Sequence, residues 1–209
     1  MSDDICHVYS QIAREFDYTR YKPWPSVVSF VNSLETNNKL LDVGCGNGRH
    51  LQINPNIVNT GCDLCPEFVQ ICRDKGLDVV ESDCRKLPFA DNSFDAVICI
   101  AVIHHLDTEE DRQRAVAEIV RITKPGGKIM IQVWADSVLG TKTGSKFTKL
   151  QGQGDYSVSW TTKSSEVLSR FYHVFNREEF EKMLSEVGSI EIVHIWEEAN
   201  NWIGTINKN

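Results

Sequence analysis

Leu40-Leu41-Asp42-Val43-Gly44-Cys45-Gly46-Asn47-Gly48-Arg49 is the stretch on which the fold turns. The apolar run ending at Val43 reads as a buried strand. It passes straight into glycines at 44, 46 and 48, ahead of an expected short helix. Glycine is required where backbone turns sharply or lets a ligand come close. A dinucleotide fingerprint would read G-x-G-x-x-G, with a helix N-terminus facing a pyrophosphate. Here the spacing is G-x-G-x-G, and an acid, Asp42, stands two residues before the first glycine. A carboxylate in that place suits an ammonium better than a phosphate.

Outward from this stretch the chain alternates. Strands are expected at residues 40–43, 57–62, 78–81, 96–100 and 128–134, with helices at 66–75 and 109–123 between them. Such alternation implies an α/β fold: a Rossmann-like, doubly wound sheet, mostly parallel, with helices on both faces. Right-handed crossovers then gather the strand C-termini, and any ligand, along one edge. Before the first strand, Ile5, Val8, Ile12 and Phe16 recur at helical spacing, as do Val27, Val28, Val31 and Leu34. Residues 1–35 therefore read as a cap of two helices broken at Lys22-Pro23-Trp24-Pro25. Residues 135–170 break the rhythm and read as an insertion or lid rich in Gly, Ser, Thr and Lys. Its stretch 141–170 carries a surplus of three positive charges. A helix at 177–186 and two strands at 190–196 and 202–206 close the chain. The short separation of those strands predicts an antiparallel C-terminal hairpin.

Composition bounds the rest. The chain has 209 residues, 41% hydrophobic and 24% charged, which fits a single globular domain over 1–209. A net charge of −7 excludes a globally basic nucleic-acid binder but not a local basic face. No apolar run reaches the ~20 residues of a membrane span. Residues 1–10 show no basic-then-apolar leader, and seven cysteines lack a framework spacing. A cytoplasmic protein with reduced thiols and no membrane partner is expected. Cys62-x-x-Cys65 is half a zinc pattern with no second pair, so no metal site is expected.

Two further acids end the next strands. Asp63, in Gly61-Cys62-Asp63-Leu64, lies 19 residues beyond Gly44, near the ~20-residue distance at which an acid meets adenosine ribose hydroxyls. Asp83, in Glu81-Ser82-Asp83-Cys84, is placed to accept from an adenine amino group. Any one of these acids alone is as readily a solvated loop carboxylate. Three at the ends of successive strands point to one ligand. S-Adenosylmethionine carries an ammonium and a sulfonium and has no phosphate.

With these residues the chain resembles the class I S-adenosylmethionine-dependent methyltransferases over residues 39–135. The resemblance includes Lys86-Leu87-Pro88-Phe89, Ser93-Phe94-Asp95 and Lys124-Pro125-Gly126-Gly127-Lys128. It implies that Asp42, Gly44, Gly46 and Gly48 surround the methionine part. It also implies that Asp63, with Leu64 beside it, holds the ribose, that Asp83 and the Cys84 backbone hold the adenine, and that Ala101 offers a carbonyl near the amino group. Other segments resemble a narrower group, the eukaryotic wobble-uridine tRNA carboxymethyl methyltransferases. They are Val8-Tyr9, Ile12-Ala13, Phe16, Arg20-Tyr21-Lys22-Pro23-Trp24-Pro25, Ile100-Ala101-Val102-Ile103-His104-His105, Val133-Trp134-Ala135, Arg170-Phe171-Tyr172-His173-Val174-Phe175 and Asn201-Trp202. That family converts 5-carboxymethyluridine in the tRNA anticodon loop to its methyl ester, with a small zinc-binding activator subunit as heterodimeric partner. It usually has an acidic-apolar segment ending in Pro-Trp where this chain reads Gly154-Asp155-Tyr156-Ser157-Val158-Ser159-Trp160.

The chemistry agrees. A carboxylate, with reference pKa about 4, is already ionised at neutral pH and needs only to be positioned. No Asn/Asp-Pro-Pro-Tyr motif for amino-group methylation follows the fourth strand, and Cys99 sits inside an apolar run. Arg20, in a Pro-rich segment, can clamp a carboxylate with its two-pronged guanidinium. His104 can donate to the same group as a neutral or protonated imidazole, and otherwise starts a helix, as does His105. Trp134 can stack a base or wall the pocket. Tyr172 and His173 can face it too, with Phe171, Val174 and Phe175 in the core. Two other functions compete: a small-molecule methyltransferase, and a fold member that binds a partner without catalysis.

Overall fold

The computed structural model describes residues 3–163 and 165–209. Met1 and Ser2 of the cap, and Ser164 of the insertion, lie outside the described residues. Two helices come first, α1 (Asp3–Thr19) and α2 (Pro25–Asn32), broken at the Pro-rich segment. Then follow β1 (Lys39–Val43), β2 (Val58–Asp63), α3 (Pro66–Asp74), β3 (Val79–Glu81), β4 (Phe94–Ile100), α4 (Glu109–Ile122) and β5 (Thr123–Trp134). The remainder is β6 (Phe147–Lys149), β7 (Asp155–Thr161), β8 (Val167–His173), α5 (Arg177–Ser185), β9 (Ile190–Glu198) and β10 (Asn201–Lys208). The seven-stranded sheet runs β3-β2-β1-β4-β5-β10-β9, with β10 alone reversed, antiparallel to both of its neighbours β5 and β9. The doubly wound expectation holds, as does the antiparallel hairpin at the end. The strand order reverses between β1 and β4, so the crevice for a ligand opens beyond their C-termini.

Alternation along the strands sends side chains to two cores. Leu41, Val43, Val97, Cys99, Ile129 and Ile131 face α4 and α5, meeting Ile119, Ile122, Phe180 and Leu184. Leu40, Ala96, Ile98 and Met130 face the other way, against Val27 and Val31 of α2. The acidic run after His105 begins α4. Thr108 accepts from the Asp111 N–H at 3.1 Å, and three acids fill the first turn.

Two expectations are corrected. No helix follows Gly48; residues 49–56 form turns, because Gly48 and Asn54 bend the chain back to β2 within a few residues. β5 starts at Thr123 rather than 128, since a register shift opposite Phe94 and Ala96 absorbs Gly126 and Gly127. Within the segment 135–170, read from the sequence as an insertion or lid, three short strands form with residues 171–173 an antiparallel sheet, β6-β7-β8. Tyr156, Val158 and Trp160 alternate with polar residues on β7, opposite Tyr172, Arg170 and Leu168 on β8. No described helix is long and apolar enough to cross a membrane.

Candidate active site

The β1 and β4 ends, α1 and the β6-β7-β8 sheet enclose a cavity of about 600 Å³, within the range for small-molecule sites. At one end lies the glycine loop. Gly44 sits at φ 70°, and a Cβ there would strike the Val102 side chain, so only glycine fits. A Cβ on Gly46, at φ 53°, would meet only Phe16 of α1, at 3.7 Å. The loop is held from below by Asp63, whose Oδ2 accepts from the Gly46 N–H at 2.8 Å and whose Oδ1 accepts from the Cys65 N–H at 2.9 Å. Burial pushes the Asp63 carboxyl up to about 6, against the pull of these two backbone donors. Leu64, Phe68, Ser82 and Cys84 continue the wall, and Ala101 closes it from β4 with a left-handed φ of 62°. Such a backbone is strained for a residue with a Cβ, and the Ala101 N–H bond to the Gln132 carbonyl at 2.9 Å helps fix it.

Three expected cofactor residues do not reach this wall. Asp42 is fully buried behind it, with Oδ2 3.2 Å from His50 Nδ1 and Oδ1 without a partner among the described residues. Gly48 packs against Leu77 and Cys72, where a Cβ would clash; its glycine is demanded by α3 packing. Asp83 turns its carboxylate to Arg85, whose Nη2 donates at 2.6 Å. Although burial raises it, that partner holds the Asp83 carboxyl below its ordinary value. Gly44, Gly46, Asp63, Leu64, Cys84 and Ala101 do line the cavity. Arg20 and Arg49 stand at the glycine-loop end. Asn47 Nδ2 donates to the Arg20 carbonyl at 3.0 Å, and burial followed by the Arg20 charge lowers Arg49, with Asp42 opposing. A tight glycine loop that admits a close ligand, an acid beneath it, an apolar slot and two cations suit the parts of S-adenosylmethionine.

The other end is aromatic. Trp134, Phe147 and Tyr172 form a wall with ring separations of 5.8–6.4 Å. His104 stacks on Tyr172 at 4.9 Å and 16°, and its Nδ1 is buried with no partner among the described residues. Burial, then the neighbouring His105 and Arg170, pushes His104 well below its ordinary value, so it is neutral here. His105 is tied on both sides: Nδ1 lies 2.9 Å from the Phe171 carbonyl and Nε2 lies 2.9 Å from the Tyr9 hydroxyl. A carbonyl only accepts, so Nδ1 carries the proton and Tyr9 donates to Nε2. Burial pushes His105 down to about 3. His173 is not in the pocket. It is buried between Asp155 and Glu179, each 2.6 Å from a ring nitrogen, because along β8 it falls on the face opposite Tyr172.

Tyr9 and Arg170 line the cavity and were not singled out individually in the sequence. The period of two along β8 would have placed Arg170 beside Tyr172 once Tyr172 was assigned to the pocket. Tyr9→Phe should leave the His105 Nε2 acceptor buried and unpaired, costing about 1–3 kcal/mol. At roughly 2–4 °C per kcal/mol for a chain of this size, a melting curve should fall by several degrees. An unchanged curve would mean the Tyr9–His105 bond is not made.

Comparison with known proteins gives the lineage. A family described as "Methyltransferase domain" matches residues 41–131. The tRNA (carboxymethyluridine(34)-5-O)-methyltransferase of Arabidopsis thaliana is 41% identical over 77% of this chain, and alkbh8 of Xenopus tropicalis, of the same description, is 33% identical over 96%. The chain spans only 39% and 40% of those two proteins. The enzyme of that description from Schizosaccharomyces pombe is 34% identical over 95% of this chain and 94% of its own length. Among solved structures, a Methanosarcina mazei SAM-dependent methyltransferase superposes with a TM-score of 0.73 at 18% identity, covering 90% of this chain and 98% of its own. A Haloferax volcanii methyltransferase solved with the Trm112 activator does so with 0.72 at 14%, covering 100% and 97%. Matching the fission yeast enzyme over nearly the whole of both, the chain belongs to the tRNA (carboxymethyluridine(34)-5-O)-methyltransferase family.

Proposed function

We propose that this chain transfers a methyl group from S-adenosylmethionine to the carboxylate of 5-carboxymethyluridine at the tRNA wobble position, forming the methyl ester. The observation that carries it is a cavity with two unlike ends: a glycine loop over Asp63, and an aromatic chamber containing Arg170 and neutral His104. Bound at the loop, the cofactor supplies an electrophilic methyl on a sulfonium. Gly44 and Gly46 admit the methionine part, with the Arg20 and Arg49 cations near its carboxylate. Asp63 accepts from the ribose hydroxyls, Leu64 and the Cys84 backbone flank the adenosine, and Ala101 offers its carbonyl to the amino group. Trp134 and Tyr172 wall the nucleobase and exclude water. His104 offers a neutral hydrogen bond to the nucleophile. With the carboxylate held in line, transfer of that methyl would release S-adenosylhomocysteine, and no residue of the chain would need to take a proton.

The exposed Lys142, Lys149 and Lys163, with Lys146 at the cavity, give an acidic chain one positive face for the anticodon loop. In this reading a small zinc-binding activator subunit is the partner; the Haloferax volcanii methyltransferase of the same fold was itself solved with an activator. Seven free cysteines, six of them buried, suit a reducing, cytoplasmic setting. Nucleoside mass spectrometry of tRNA, from cells lacking the endogenous enzyme, tests both points. The methyl ester should appear when the chain is supplied with its activator, and much less with the chain alone. Undiminished 5-carboxymethyluridine in the presence of both would overturn the function, and equal activity without the activator would overturn the partner.

A further inference from the structure

Arg170 is a buried cation with no counter-charge. It is 8% exposed, and no described carboxylate lies within ion-pair distance. Its guanidinium carbon instead sits over three rings, 5.0 Å from Trp160, 5.2 Å from Tyr172 and 5.8 Å from Tyr9. The one hydrogen bond it shows is long, from Nη1 to the Tyr9 hydroxyl at 3.5 Å. Its Nε has no partner, and neither has the indole nitrogen of Trp160 beside it. Both are donors only. His104 Nδ1, on the other side of Tyr172, is also unpartnered. Leaving a charge buried and unpaired costs several kcal/mol, which three cation–π contacts of about 0.5–2 kcal/mol each offset only in part.

Donors unpartnered among the described residues, around an uncompensated cation in the wall of a cavity, match the chemistry of an acceptor-only anion. The Arg20 alternative is weaker in geometry. Arg20 is exposed and tied to Asn47 at the glycine loop, within the electrostatic reach of Arg49, which places it toward the cofactor's own carboxylate. Arg170 lies at the aromatic end, between Trp160 and Tyr172, where a nucleobase would stack. We propose that Arg170, caged by Tyr9, Trp160 and Tyr172, receives the carboxylate of the substrate nucleoside and selects the acid over its neutral amide. This rests on the wobble-uridine reading above and names the residue that enforces it. Because the cage fixes the guanidinium before substrate arrives, its fork is already oriented for two parallel N–H bonds to one carboxylate.

The test separates the two claims. The full chain, loaded with S-adenosylhomocysteine, is titrated with 5-carboxymethyluridine and with 5-carbamoylmethyluridine, for wild type, Arg170→Gln, Arg170→Met and Arg170→Lys. Wild type should bind the acid at least about tenfold better than the amide. The neutral variants should lose that preference and the lysine variant keep part of it, while cofactor affinity stays within about threefold in all. Methyl transfer to tRNA carrying 5-carboxymethyluridine should drop about 10²-fold in kcat/KM in the neutral variants. Methionine keeps the stem against the rings, so at least one neutral variant should melt within a few degrees of wild type, and that variant decides. A wild-type preference for the acid surviving in it overturns the Arg170 assignment. If the preference depends on Arg170 yet wild type, with its activator, leaves the tRNA unmethylated, the anion site stands and the wobble-uridine reading falls.

Discussion

Asp63→Ala should weaken S-adenosylmethionine binding by roughly 10–150-fold, the equivalent of about 1.5–3 kcal/mol for lost hydrogen bonds to a charged acceptor. Two contributions add. The carboxylate no longer accepts from the ribose hydroxyls, and the Gly46 and Cys65 N–H groups lose the acceptor that shapes the loop. Asp63→Asn should be no milder. Whichever way the amide turns, its NH2 faces a backbone N–H, so one donor meets another. The pH dependence follows from the raised carboxyl at about 6. In the free folded chain burial favours the neutral form, so ionising Asp63 costs folding stability as pH rises from about 4 to about 6. Ribose hydroxyls need the ionised form. Affinity should therefore be flat above about pH 7 and fall up to tenfold per unit below about 6, whereas the alanine variant stays flat. Calorimetry showing equal affinity in Asp63→Ala, or no acid decline in wild type, would remove Asp63 from the cofactor site.

Much of this arrangement was legible before any coordinates. Strand–helix alternation and the glycine run locate β1 to β4 within two residues, because buried parallel strands are short apolar blocks with sharp ends. The acids were harder. Asp42, Asp63 and Asp83 look equivalent in the sequence, each at a strand end. Their fates divide on partners that pattern cannot reveal: His50 behind the loop takes Asp42, Arg85 takes Asp83, and only Asp63 is left lining the cavity. The β6-β7-β8 sheet escaped for another reason. Its alternation is real, but serines and threonines on the other face lower its apolar content to that of a loop. With the sheet unseen, Arg170 had no face to belong to, and Tyr9 on α1 had no strand to pack against. Helix α1 and β8 meet 161 residues apart in sequence, through Tyr9 and Arg170. No local pattern reports a contact of that range.

The largest effect expected concerns the nucleophile. Transfer to 5-carbamoylmethyluridine in tRNA should be undetectable, a loss of at least about 10³-fold against the acid. An amide is uncharged and a poor nucleophile, and its NH2 would confront the donors of Arg170 and Trp160 rather than satisfy them. The pH profile of the chemical step separates this mechanism from general-base catalysis. With the substrate carboxyl ionised above about pH 5, no group need release a proton for transfer to occur. The two histidines at the aromatic end supply no titration either. Burial holds His104 well below its ordinary range and His105 near 3, so both are neutral across the working range. Single-turnover rates at saturating cofactor should therefore be level from about pH 7 to 9. A base abstracting a proton would instead give a rising basic limb. A basic limb, or methylation of the amide at a rate near that of the acid, would show that a proton leaves the nucleophile. Arg170 and His104 would then have to be reassigned from holding an anion to stabilising a base.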